Sequence, residues 1–169
     1  MKKLYFVRHA KAVQENIGLT DFDRPLTEKG AMDAQLISSL LHKEKVVPHL
    51  IISSPAVRAL STAAIFARNL HYPLSAVRLE DSLYESSVDN YLKHLHLTED
   101  KHQTVFLFAH NPTITEAANL FIDDFIENIP TCGVTGLSFE VDSWKQLDKN
   151  AKGTLMLFDF PKNHKPIQG

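Results

Sequence analysis

Apolar residues along the chain fall into short runs separated by longer stretches of helical spacing. Residues 3–7 (Lys-Leu-Tyr-Phe-Val) form a brief apolar, aromatic run ended by charge, the mark of a buried strand. Residues 10–25 show no period and carry Asn16, Gly18 and Pro25, so they read as a loop. Thr27 then opens a helix of about 16 residues, with Ala31, Ala34, Ile37, Leu40 and Leu41 near helical spacing. Residues 50–53 (Leu-Ile-Ile-Ser) are a second strand. The spacing after it predicts a helix with Ser54 as N-cap and Pro55 at the first helical position, running to about Leu70 before Tyr72-Pro73. A short strand near 77–79, a helix over 88–97 and the strongly strand-like run 104–109 follow. Past His110-Asn111-Pro112, the pattern predicts a helix to about Ile126. The late runs 136–141 and 154–160 read as a hairpin pair or edge strands, and 161–169 as a polar, frayed tail.

Strands alternating with helices predict an α/β fold: a three-layer α/β/α sandwich around a mainly parallel central sheet. The length of 169 residues suits one domain, placed at residues 1–160. No repeat, low-complexity tract or linker interrupts it. Hydrophobic residues make up 44% and charged residues 22%, ordinary globular values that exclude wholesale disorder. Eighteen Lys and Arg against 20 Asp and Glu leave a formal charge of -2, without the basic excess that duplex nucleic acid demands. A single cysteine, Cys132, excludes an internal disulfide framework and multi-cysteine metal sites. The apolar run behind Met1-Lys2-Lys3 stops at Arg8-His9, short of the ~7–15 residues of a signal core, and none approaches the ~18–20 of a membrane span. A soluble, cytoplasmic protein is expected.

Candidate chemistry lies where open α/β sheets bind ligands, outside the carboxyl ends of the strands. The first strand ends at Arg8-His9-Ala10. The second ends at Ser53-Ser54-Pro55, with Arg58 just beyond. The run 104–109 ends at His110-Asn111-Pro112. Two arginines and two histidines thus gather at one edge with no acidic residue in those tripeptides. A cationic pocket of this kind suits a phosphoryl group, whose oxygens match guanidinium forks. Flanking guanidiniums also disfavour imidazolium, leaving a histidine nitrogen free to attack phosphorus, while the second histidine and the arginines stabilise the equatorial oxygens. His94 and His96 invite a metal reading, but residues two apart on a helix do not share a face. His42, His49, His71, His102 and His164 sit among loops and polar faces. Asp21 and Arg24 read as ties between loop and domain, Ser53 and Ser54 chiefly as cap or turn residues with a hydroxyl or backbone N–H able to meet phosphate, and Asn111 as either a turn residue or a support for the site. Cys132 lacks any sign of activation, and Trp144 reads as packing.

The segment Leu4-Tyr-Phe-Val-Arg-His-Ala10 resembles the opening motif of the histidine phosphatase superfamily, whose nucleophile is the His of an Arg-His-Gly or Arg-His-Ala triplet. Asp21-Phe-Asp-Arg-Pro-Leu-Thr-Glu-Lys-Gly30, Ser53-Ser-Pro-Ala-Val-Arg58-Ala-Leu-Ser-Thr62 and Ala109-His110-Asn-Pro112 are similar to its further blocks, in order. The Asp-x-x-Arg-Pro-Leu-Thr block, Ala10 and the short chain look most like the SixA-type phosphohistidine phosphatase branch. The resemblance covers roughly residues 3–126 and implies a phosphoglycerate mutase-like fold. It implies His9 as nucleophile, Arg8 and Arg58 as phosphate clamps and His110 as donor to the phosphoryl oxygens. Aligning on Tyr84 places Asp81 at the general-acid position, with Glu85 as runner-up. No cofactor and no metal are implied. The expected partner is a phosphohistidine-bearing protein, such as a phosphotransfer domain, or a small phosphorylated substrate; a phosphate-binding module without turnover is the reading from another class. Only 51 residues separate Arg58 from His110, too few for the capping segment of mutase-type relatives, so an open site is expected.

Overall fold

A computed structural model describes residues 1–15 and 18–164, so Asn16 and Ile17 of the expected 10–25 loop, and 165–169 of the expected tail, lie outside the described residues. Six strands, β1 (Lys2–Arg8), β2 (Leu50–Ser53), β3 (Arg78–Leu79), β4 (Thr104–Ala109), β5 (Val134–Phe139) and β6 (Thr154–Asp159), form one sheet in the order β3-β2-β4-β1-β5-β6. Four helices connect them: α1 (Glu28–Lys43), α2 (Val57–Asn69), α3 (Val88–His96) and α4 (Thr113–Phe121). β1 to β4 pair in parallel, while β5 runs antiparallel to β1 and to β6.

The two faces follow from the period of two along each central strand. Leu4, Phe6, Ile52, Val105 and Leu107 turn to one side and pack with Leu95, Ile114 and Phe121 of α3 and α4. Tyr5, Val7, Ile51, Phe106 and Phe108 turn to the other and pack with Ile37, Leu41, Phe66 and Ala67 of α1 and α2. The result is the expected sandwich with helices on both faces. Parallel strands buried on both sides need continuous apolar runs, which is why 104–109 was so legible.

Helix α1 begins where expected, with the Thr27 side chain accepting from the Gly30 amide. Two helix boundaries differ. Helix α2 starts at Val57 with Ala56 as its cap, so neither Ser54 nor Pro55 plays the expected part. Ser54 Oγ accepts instead from the Ala56 amide, closing a local turn that holds residues 53–56 out of the helix. Helix α4 stops at Phe121 rather than near 126. The Asn119 side chain there caps the chain end on, bonding both the amide and the carbonyl of Ile126 (2.8 and 2.7 Å). The buried Ile122, Ile126 and Ile129 continue the core without helix, which prolonged the apolar pattern. Of the two late runs, β5 is an interior strand and only β6 lies at the edge. Residues 161–164 of the expected tail form a 3-10 turn. Trp144 is fully buried and donates to the His102 carbonyl, a packing role as expected. No described helix is long and apolar enough to cross a membrane.

Candidate active site

Parallel pairing of β1 and β4 sets Arg8 opposite Ala109, so the residues that follow, His9 and His110, leave the sheet side by side. Their ring centroids are 5.3 Å apart. The His9 amide donates to the Ala109 carbonyl, tying the two strand ends together (3.2 Å). Helix α2 delivers Arg58, whose Nε donates to His9 Nε2 at 3.4 Å. Thr62, one turn further on, accepts from the Ala10 amide (2.9 Å) and donates to the Arg58 carbonyl (2.7 Å). One hydroxyl therefore fixes the peptide after His9 to the helix that carries Arg58.

The hydrogen bonds of His9 decide its tautomer. Nδ1 lies 2.8 Å from the Ala10 carbonyl oxygen, which only accepts, so Nδ1 carries the proton. The Nε2 lone pair is left to meet Arg58. His9 is 8% exposed, and burial, reinforced by the Arg58, Arg8 and Arg24 charges, lowers its pKa from 6.5 to about 4. Burial, with the His9, Arg58 and Arg8 charges, lowers that of His110 to about 3. Both rings are neutral at pH 7. His110 Nε2 bonds Ser54 Oγ at 2.8 Å, while its Nδ1 is buried without a partner among the described residues.

Arg8 donates through Nη1 to the Ile129 carbonyl (2.9 Å), and its Nε is likewise buried and unpartnered. Asn111 holds that carbonyl from the other side: its Nδ2 donates to Ile129 O (3.0 Å) and Asn128 Oδ1 (2.7 Å). Thr115 bridges the Asn111 side chain to the Ile129 amide. Asn111 thus supports the arginine through a loop. The Cys132 amide donates to the His9 carbonyl (3.0 Å), and the Arg8 amide to the Gly133 carbonyl (3.1 Å). The Cys132 thiol itself is buried and its pKa is raised by that burial.

Asp21 is closer to this cluster than its reading as a loop tie suggested. Its carbonyl and Oδ2 accept from Arg58 (2.7 and 3.1 Å), Oδ1 accepts twice from Arg24, and Oδ2 accepts from the Tyr84 hydroxyl (2.7 Å). The Tyr84 bond above all, then the two guanidiniums, hold the carboxyl far below the usual carboxylate range. Burial and the Asp21 bond push Tyr84 up to about 12, so it keeps its proton. Its ring meets Phe22 and His110 edge-on, at 5.1 and 5.6 Å. The structure thus brings Arg8, His9, Arg58 and His110 together. Asp81 and Glu85 lie on the segment that carries Tyr84, and the Glu85 charge acts on the Tyr84 hydroxyl. Both are exposed, and among the described residues no side-chain hydrogen bond or ion pair joins either to the four. Thr62 and the 129–133 backbone went unread because hydroxyls, carbonyls and amides carry no distinguishing sequence signal. For Asp21 the signal was its place in the Asp-x-x-Arg block.

His94 and His96 turn to different elements, as their spacing implied: one ring bonds Ser82, the other donates to the Leu147 carbonyl. Among the described residues no group of three or more His, Cys, Asp or Glu is placed to hold a metal ion.

Two imidazoles and two guanidiniums thus meet at the carboxyl edge of a mainly parallel sheet, inside an α/β/α sandwich, and form a cationic pocket suited to a phosphoryl group. Residues 4–113 match the family model of the histidine phosphatase superfamily (branch 1), and the chain belongs to that superfamily. Within that superfamily the chain resembles proteins named SixA. It is similar to the protein of Agrobacterium tumefaciens named "putative phosphohistidine phosphatase SixA", with 28% identity and a TM-score of 0.78, over 93% of this chain and 96% of that one. The equally named protein of Nakamurella multipartitia gives 26% identity and a TM-score of 0.80, over 95% and 96% of the two chains. A protein of Hydrogenobacter thermophilus named "putative phosphoserine phosphatase 2" is 34% identical over 110 residues, 63% of this chain and 52% of that protein.

Proposed function

We propose that this phosphatase removes the phosphoryl group from phosphohistidine on a partner protein, through a covalent phosphohistidine on His9. The observation that carries the reading is the pinned His9 tautomer. Donation from Nδ1 to Ala10 exposes the Nε2 lone pair between guanidiniums, and a pKa of about 4 keeps it unprotonated. Nε2 attacks phosphorus, and the bond to the substrate's imidazole nitrogen breaks with its electron pair. That nitrogen takes a proton from solvent. Arg8 Nε, Arg58 and His110 Nδ1 donate to the phosphoryl oxygens in flight, the two buried donors finding the acceptors that the chain does not give them. Water then attacks the phosphohistidine, releasing inorganic phosphate and restoring Nε2. No metal takes part.

A phosphoramidate substrate fits the acid–base inventory. Asp21 is held ionised, Tyr84 holds its proton tightly, and Asp81 and Glu85 are exposed, with no hydrogen bond or ion pair to the four among the described residues. An alkyl ester needs a strong acid for its leaving oxygen, whereas imidazole leaves once protonated. Likeness to the two SixA-named proteins supports the same substrate class. The phosphoserine-named relative favours, as a second reading, a small phosphorylated metabolite.

The test is to incubate the protein, with EDTA present, with a phosphohistidine protein, a phosphoserine peptide and a sugar phosphate. Phosphate release from the first alone is expected, and release only from a small ester promotes the second reading. His9→Ala should abolish both turnover and the trapped phosphoenzyme. Full activity in that variant, or a need for a divalent metal, overturns the mechanism.

A further inference from the structure

Ser54 is fully buried at the turn between β2 and α2, and its hydroxyl has two recorded partners. One is the Ala56 amide at 3.3 Å, which can only donate. The other is His110 Nε2 at 2.8 Å, which either donates or accepts according to tautomer. If Nε2 carried the ring proton, the serine would accept from both neighbours. Its own proton would then be sealed in the protein with no acceptor, the costly arrangement that buried hydroxyls avoid. If the serine donates to Nε2, both the hydroxyl and Nε2 are satisfied, and the ring proton stands on Nδ1, the one group left open.

We propose that Ser54 is a positioning residue that sets the tautomer of His110, making Nδ1–H the hydrogen-bond donor and Nε2 the anchored nitrogen. The inference rests on the reading that His110 donates to the phosphoryl group. With the proton on the other nitrogen, Nδ1 would turn a lone pair toward phosphate oxygens and repel them. The buried, unpartnered state of Nδ1 is the second observation: a ring clamped at one nitrogen keeps the other in reserve for an incoming acceptor. The backbone supports the clamp. The Ser54 amide donates to the Phe108 carbonyl (2.9 Å), linking the turn to the strand that ends beside His110. A serine at the end of β2 thereby prepares a histidine at the end of β4, 56 residues away along the chain. Because the His110 ring is neutral at pH 7, the choice of tautomer is a real one.

Long-range proton–nitrogen NMR on uniformly 15N-labelled protein at pH 7.5 tests this directly, with the His110 ring assigned by its loss in His110→Gln. The wild type should show a pyrrole-type Nδ1 and a pyridine-type Nε2 for His110. In Ser54→Ala the two nitrogens should move toward averaged or inverted shifts, and kcat/KM should fall by about 10- to 100-fold, the scale on which histidine-orienting partners act. A wild-type His110 protonated on Nε2 overturns the proposal, and that spectrum needs no variant to fold. So does a folded Ser54→Ala protein with an unaltered tautomer or undiminished kcat/KM. If the tautomer is as stated and the wild type hydrolyses no phosphohistidine, the assignment to Ser54 stands and the substrate reading fails instead.

Discussion

Keeping two buried imidazoles neutral makes the fold sensitive to mild acid. In the unfolded chain each histidine protonates near 6.5, whereas in the folded protein His9 holds out to about 4 and His110 to about 3. The unfolded state therefore binds more protons as pH falls below 6.5, and the folded state loses stability across the window from there to the folded values. Above the window neither histidine contributes. At pH 5 each has cost about 2 kcal/mol, so the pair removes about 4 kcal/mol from a total that is typically ~5–15 kcal/mol. Urea unfolding at pH 7.5 and pH 5 measures this, with His9→Gln, His110→Gln and the double variant alongside the wild type. Each single variant should recover about 2 kcal/mol of the acid-dependent loss, and the double variant about 4 kcal/mol. Other histidines and the carboxylates contribute equally to all four proteins and drop out of the comparison. A double variant that loses as much stability as the wild type between the two pH values refutes the argument, because the rings would then titrate alike folded and unfolded.

Thr62→Val keeps the side-chain shape but strands the buried Ala10 amide; urea unfolding should show a loss of about 1–3 kcal/mol, accompanied by slower turnover as the His9 peptide loosens. In Gly30→Ala the new methyl would sit 2.1 Å from the Lys11 carbonyl oxygen, two residues past His9. Either α1 or that loop has to move, and thermal unfolding should register about 2 kcal/mol, roughly 4–8 °C in Tm. Asn111→Ala frees the loop whose Ile129 carbonyl holds Arg8. Calorimetric titration with tungstate, an isostere of phosphate, should show weaker binding, while the pH dependence assigned to His9 and His110 stays in place.

Strand and helix order was legible because the central strands are buried on both faces, and continuous apolar runs such as Val105–Phe108 leave few other readings. The chemistry-bearing side chains were legible for a related reason: charge at the end of an apolar strand has nowhere to sit but the sheet edge. What stayed hidden was the work of groups that every sequence contains. Ser54 looked like a helix cap because Ser-Pro commonly begins helices, yet its hydroxyl is committed to a histidine on another strand. Asn119 ended α4 early through two bonds to backbone atoms of Ile126 that no periodicity records. Asp21 read as a tie between loop and domain, which it is, but its partners there, Arg58 and Tyr84, are brought to it only by folding.

The antiparallel strand β5 and the segment before it carry none of the four charged or ionisable groups of the cluster, and the family match ends at residue 113. Yet Ile129 takes the Arg8 side chain, Gly133 the Arg8 amide, and Cys132 binds the His9 carbonyl. A chain cut after α4 would keep every reactive group and lose the frame that aims two of them. The cluster and its frame are thus written in different stretches of this polypeptide, and substitutions among residues 129–133 that leave all four side chains in place can still displace two of them.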